Sequence, residues 1–386
     1  MFRGFGKEIN YELKDIAGDR EPNEIGKNYR KGFIRYRGRC LLLLLSLIVA
    51  NFFVLTCTAT NKDSVPSPQR DKSFGQRCAP GMCLIPQGFL LGPREKALSV
   101  HFTSDKNGWI VGRNGLNLVT TDGGNSWQRG TMPEKSFNDI FFVGKKGWAV
   151  GINGLILFTD DGGKCWKKQS SNTRAALMRL FFLDEHKGFS IGQDSTILRT
   201  INGGKSWEII DLDLMSLLPI ELIETGIVTI NLYDIFFSDE NSGWIVGDCG
   251  TILYSEDGGG EWDLVHTGNL PPLFSIAFKN DSEGWVVGQN GFSLKTDDGG
   301  KSWKNILIDK EKSLYRIRIC DNSGVIVGDN ATILVTNDGG KTWTKVETKL
   351  ERPYPWLVDA WIISNSTKVL SVGKGIILET AIISKK

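Results

Sequence analysis

From about residue 95 to the C-terminus, apolar and polar positions alternate in runs of four to six residues. One stretch reads NDIFFV, GWAVG, LILFT and CWKKQ between residues 138 and 169, with glycines or charged residues separating the runs. Alternation over so few residues, bounded by turn formers, predicts short half-buried strands. Four in succession predict an antiparallel meander. No comparable stretch carries the 3.6-residue period of an amphipathic helix.

The meander repeats. The glycine closing each GW-VG run falls at Gly112, Gly151, Gly192, Gly247, Gly288, Gly328 and Gly373, in steps of 39, 41, 55, 41, 40 and 45 residues. A period near forty marks a repeat architecture, in which a unit buries its apolar face only against its neighbours. Seven four-stranded units arranged radially predict an all-β fold, a seven-bladed β-propeller of four-stranded antiparallel blades. A straight β-solenoid is the alternative, but forty residues with three turns suit a blade better.

Each of the first six units ends in T-x-D-x-G-x-x-W or a close variant. The pairs are Asp122 with Trp127, Asp161 with Trp166, Asn202 with Trp207, Asp257 with Trp262, Asp298 with Trp303 and Asp338 with Trp343. Asp or Asn accepts hydrogen bonds from its own turn, glycine supplies positive φ, and tryptophan on the outgoing strand packs between blades. Spread around a ring, these carboxylates do not converge on one substrate as catalytic groups must, so the reading is structural. The seventh unit keeps WLVDAWII, VLSVGKG and IILET but has no such box. Its missing strand has a donor in CLIPQGFLLG, residues 83–92, which would close the ring and remove two sheet edges; the same residues also read as loop.

The first 77 residues have a different texture. A polar arm, residues 1–39, ends in a basic group with Arg30, Lys31, Arg35 and Arg37. The uncharged run CLLLLLSLIVANFFVLTC, residues 40–57, spans roughly 27 Å as a helix, enough for a bilayer core. With its basic flank held in the cytoplasm, it predicts a transmembrane anchor that sends the remainder across. A cleaved signal peptide is the competing reading, against which stand the long arm and the absence of an A-x-A site. Residues 58–77 read as a polar linker and 78–386 as the propeller.

Composition narrows the function. Forty-six basic against 44 acidic residues give a net charge of +2, so no chain-wide nucleic-acid signature exists. Seven cysteines are too few for a disulfide scaffold. Cys78 and Cys83 bracket a Pro-Gly turn and are either bridged or two free thiols, whereas Cys165, Cys249 and Cys320 read as small packed residues. His101, His186 and His266 show no metal-ligand spacing, and no cofactor motif is present.

Tandem GWxVGxxGxILxTxDGGxxW, best kept from Gly147 to Trp166, resembles the photosystem II stability and assembly factor family, with its sialidase-like repeats. The resemblance covers about residues 84–386. It implies a seven-bladed, non-enzymatic propeller on the lumenal or exported side of a membrane (thylakoid lumen, periplasm or cell exterior), binding the newly made D1 subunit. It also implies an arginine-rich binding face, for which Arg113, Arg174, Arg179, Arg199, Arg316 and Arg318 are the candidates, Arg113 because it sits in a turn where other units carry Ile152 and Gln289. An exposed cationic patch would suit an acidic segment of a membrane-protein partner. The long connection between units 3 and 4 adds Leu214, Leu217, Leu218 and Ile220, read either as a partner contact or as packing against the rim. A general cell-envelope scaffold is the alternative function. A sialidase-like hydrolase is the enzymatic one, but its Arg-Ile-Pro element is missing, and Tyr233, Tyr254, Tyr315 and Tyr354 lack a recognisable glutamate and arginine set.

Overall fold

The computed structural model describes residues 91–386, apart from short stretches within 213–228, 351–353, 364–367 and 383–386 and residues 93, 269 and 349. The arm, the apolar run 40–57, the linker, Cys78, Cys83 and most of the 83–92 donor segment lie outside the described residues. Among those described, no helix is long and apolar enough to cross a membrane.

Among the described residues, twenty-seven strands form seven antiparallel sheets in sequence order. Six sheets have four strands and the last has three. The blades run Lys96–Arg129, Phe137–Gln169, Leu177–Ile209, Leu232–His266, Leu273–Leu307, Leu314–Lys345 and Leu357–Ala381. Seven buried apolar clusters each join two neighbouring blades, and one joins the last to the first through Phe102, Trp127, Leu370 and Val372. The chain is thus a closed seven-bladed propeller.

The repeat residues explain the packing between blades. The GW tryptophan of one blade stacks on the phenylalanine near the end of the next blade's inner strand. Trp109 meets Phe142 at 3.9 Å, Trp148 meets Phe182 at 3.7 Å and Trp244 meets Phe278 at 4.3 Å between ring centroids. The box tryptophans Trp127, Trp207, Trp262 and Trp303 are buried in these clusters, with Trp166 and Trp343 against their edges.

Two faces follow from the meander. The box turn lies beside the turn joining the first two strands, as in Gly123 N–H to Lys106 O at 2.9 Å. At the opposite end the second turn lies beside the connection between blades, as in Gly154 N–H to Ala175 O at 2.9 Å. We call these the box face and the connection face.

Two expectations are corrected. Leu214 and Leu218 are buried in the cluster between blades 3 and 4, where the long connection extends an apolar seam, so they present no contact surface. Ile220 is 65% exposed, and Leu217 lies outside the described residues. Cys249 is buried, but Cys165 and Cys320 are exposed, because they stand on the box turn of blade 2 and at the end of an inner strand. The seventh sheet shows three strands among the described residues, and the strand exchange expected of residues 83–92 falls almost wholly outside them; Leu91 packs against the cluster joining blades 1 and 7.

Candidate functional site

Each blade begins with an inner strand along the axis. Period-two alternation turns every second side chain of these strands into the channel. Two rings result. The first carries Ser99, Asp139, Arg179, Asp234, Ser275, Arg316 and Asp359, one from each blade; two residues on stand His101, Phe141, Phe181, Phe236, Ala277, Arg318 and Trp361.

The first ring is an ion-pair network across the axis. Arg179 lies 3.3 Å from both Asp139 and Asp234, and Arg316 lies 2.6 Å from Asp234 and 3.2 Å from Asp359. Arg318 reaches up from the second ring to Asp359 at 3.5 Å. Three arginines thus balance three aspartates. Burial alone would lower the Arg179 pKa, but the three carboxylates outweigh it and raise it. Burial likewise opposes ionisation of Asp234 and Asp359, yet the guanidinium groups hold both below the ordinary carboxylate value.

The aspartates also fasten blades together. Asp139 accepts from Leu180 N at 2.8 Å, Asp234 from Ile276 N at 3.1 Å and Asp359 from Val100 N at 3.1 Å. The last of these bonds joins the final blade to the first.

The second ring is largely aromatic and walls a cavity of about 260 Å³. The cavity lies between the charged ring and the box face, with Cys320 among its lining. Arg318 stacks over Trp361 at 4.2 Å, and its Nε is buried without an acceptor. Burial, and then repulsion from Arg316, lowers its pKa to about 10, so it remains cationic at neutral pH.

On the connection face a second group of cations assembles. Lys374 follows the closing glycine of blade 7 as Arg113 follows that of blade 1, and the backbones of Lys374 and Lys96 form an isolated antiparallel β-bridge. Burial, then repulsion from Lys374 and Arg113, lowers the Lys96 pKa. Arg113 donates to Asn138 Oδ1 at 2.6 Å, and Arg174 stands exposed on the same face in the next connection.

The six candidate arginines therefore fall in three places. Arg179, Arg316 and Arg318 meet on the axis, Arg113 and Arg174 lie on the connection face, and Arg199 pairs with Glu208 at 2.9 Å on the outer part of blade 3. Sequence reasoning missed the aspartates, though one polar residue inside each apolar inner strand was the available signal. It also missed Lys96 and Lys374, whose signal was the position after the closing glycine.

Two of the tyrosine candidates, Tyr233 and Tyr315, stand on inner strands. Tyr233 donates to Asp248 at 2.7 Å and Tyr315 to Asp329 at 2.9 Å, so both hydroxyls are held by carboxylates after a closing glycine. Among the described residues no cluster of metal-ligating side chains occurs.

A family model, that of the photosynthesis system II assembly factor YCF48, matches residues 89–175, 216–311 and 265–380, well over half of the chain. No curated protein matches it. Among solved structures, a YCF48 bound to a D1 peptide superposes with a TM-score of 0.61 at 20% identity, over 76% of this chain and 94% of its own. YCF48 from Cyanidioschyzon merolae gives 0.61 at 18%, over 78% and 98%. An ancestral GH74 enzyme gives 0.60 at 12%, over 78% of this chain and 46% of its own. Likeness at these identities is one of fold.

Proposed function

The chain belongs to the photosystem II assembly factor YCF48 family, and from that premise we propose that it is a non-enzymatic propeller that binds the newly made D1 subunit during photosystem II assembly. The observation that carries this reading is that the family match falls on the propeller itself and takes in six of its seven inner strands in full. A YCF48 solved with a D1 peptide supports the choice of partner.

The connection face is the proposed docking surface. Lys96, Arg113, Lys374 and Arg174 offer cations there that are not balanced as the axial arginines are, and an acidic segment would complement them. In this reading residues 40–57 anchor the protein in the membrane and the propeller works on its exported side, in the thylakoid lumen or an equivalent compartment. No cofactor or metal takes part.

The test is co-purification. Tagged protein, solubilised in detergent from its native membranes, is expected to bring down D1 precursor or reaction-centre intermediates, read by mass spectrometry. Arg113→Glu combined with Lys374→Glu is expected to lower that recovery at least tenfold, whereas Lys301→Glu on the box face leaves it unchanged. Recovery of unrelated envelope proteins, from cells that make photosystem II, would remove the photosynthetic role.

A further inference from the structure

The second axial ring has one gap. Four of its seven positions are Phe or Trp, and blade 5 supplies Ala277 instead, between Phe236 of blade 4 and Arg318 of blade 6. The cavity of about 260 Å³ lies on this layer, with Phe236, Ala277, Arg318 and Trp361 in its wall. That volume sits just under the ~300 Å³ lower bound of small-molecule pockets, which suits one ring with a short substituent.

Charge selects the substituent. The carboxylate oxygens of Asp139, Asp234 and Asp359 already accept from arginines, serine hydroxyls and backbone N–H groups. Arg318 does not have matching satisfaction. Its one carboxylate contact is at 3.5 Å and its Nε is buried with no acceptor. A buried donor left unpaired costs about 1–3 kcal/mol, more when charged, and a planar guanidinium best satisfies it with a carboxylate.

We propose that the axial cavity is a binding site for a small aromatic carboxylate, its ring filling the gap at Ala277 and its carboxylate pairing with Arg318. The site opens toward the box face, away from the cationic connection face, and is independent of the D1-binding reading. Phe236 and Trp361 flank the ring, and Trp361 keeps the guanidinium planar and in place. A cation is disfavoured because Arg318 already faces the void.

The probes are benzoate, its neutral counterpart benzamide and the cation benzylamine, titrated calorimetrically into the detergent-solubilised full chain. Benzoate is expected to bind one to one with a Kd on the order of millimolar, with the other two at least tenfold weaker. Ala277→Phe supplies a ring like those four other blades carry, and is expected to weaken benzoate at least tenfold without lowering Tm. Ala277→Leu is the smaller filler if phenylalanine overpacks. Arg318→Gln is expected to abolish the preference for benzoate over benzamide. The proposal is overturned if benzoate shows no saturable binding up to about 50 mM, well above the expected range, if it binds a folded filled variant unchanged, or if benzylamine matches it.

Discussion

His101 shows how one buried group sets the pH response. Its ring lies 4.7 Å from those of both Phe141 and Trp361, and Phe142 N–H donates to Nε2 at 3.2 Å. Burial first, and the Arg318 charge second, lower its pKa from 6.5 to about 3. The unfolded chain takes up a proton below pH 6.5 while the folded chain refuses it until about 3. Stability is therefore intact above pH 6.5 and falls as pH drops through that window, by at most about 1.4 kcal/mol per pH unit. His266, lowered by burial, adds in the same direction; Asp234 and Asp359, held low by the arginines, act below their ordinary value of 3.8, and Asp248, raised by burial, partly opposes the fall. Urea midpoints measured between pH 7 and 4 are expected to fall, and His101→Phe is expected to flatten that fall. An unchanged slope in the variant would show that the imidazole is not the responsible group. Nothing in the sequence revealed this role, because the residues that bury His101 come from the second and seventh blades.

At the scale of the element, the box turn is the most self-contained piece of the protein. Thr296 Oγ1 donates to Asp298 Oδ1 at 2.8 Å and accepts from Gly300 N at 2.8 Å, while Asp298 accepts from Ser302 N at 2.9 Å. Gly300 holds φ near +82°, a conformation other residues resist. Every partner lies within six residues of Thr296, which is why the motif could be read from spacing alone. Thr296→Val keeps the shape but leaves the buried Gly300 N–H unpaired, an expected loss of about 1–3 kcal/mol in chemical denaturation. Serine at that position, as blade 4 has at Ser255 with the same Gly259 N contact at 2.8 Å, is expected to recover most of it. The GW glycine obeys a different constraint. A Cβ on Gly284 would stand 2.6 Å from the Phe278 ring, so Gly284→Ala must displace the ring that Trp244 contacts. Its expected cost is about 1–3 kcal/mol, as for other overpacked sites, read as a lower Tm. The inner strands were harder to read. NDIFFV was legible as a strand, but the purpose of Asp139, and of Asp234 two blades on, depends on arginines 40 and 82 residues away.

Ring closure belongs to the whole molecule, and there the sequence gives the blade count but not the fastening. The absent box in the seventh unit drew attention to a strand exchange through residues 83–92. Those residues lie mostly outside the described ones, and among the described residues the last blade meets the first through a β-bridge between Lys374 and Lys96, an apolar cluster and Asp359. Its Oδ2 accepts from Val100 N across 259 residues, whereas Asp139 accepts from Leu180 N across 41. Closing the longer loop costs about 1.6 kcal/mol more by the logarithmic dependence on length, so contacts at this joint carry a heavier entropic load than those elsewhere. Asp359 is also one of three acids balancing Arg179, Arg316 and Arg318. Asp359→Ala leaves a backbone donor unpaired and an excess buried cation, an expected loss of about 3–5 kcal/mol. Asp139→Ala removes a similar number of bonds, to Ser99 of blade 1 and to Arg179 and Leu180 of blade 3, within three blades that are consecutive in the chain. Hydrogen exchange distinguishes the two substitutions. Asp359→Ala is expected to raise exchange in blades 1 and 7 together, since opening that joint exposes the inner strands on both sides of it. Asp139→Ala, whose partners lie on blades 1 and 3, is expected to raise exchange there and in blade 2 and leave blade 7 protected. If both variants loosen the same blades, the ring has no preferred opening point, and Asp359 contributes to stability as one charge among six.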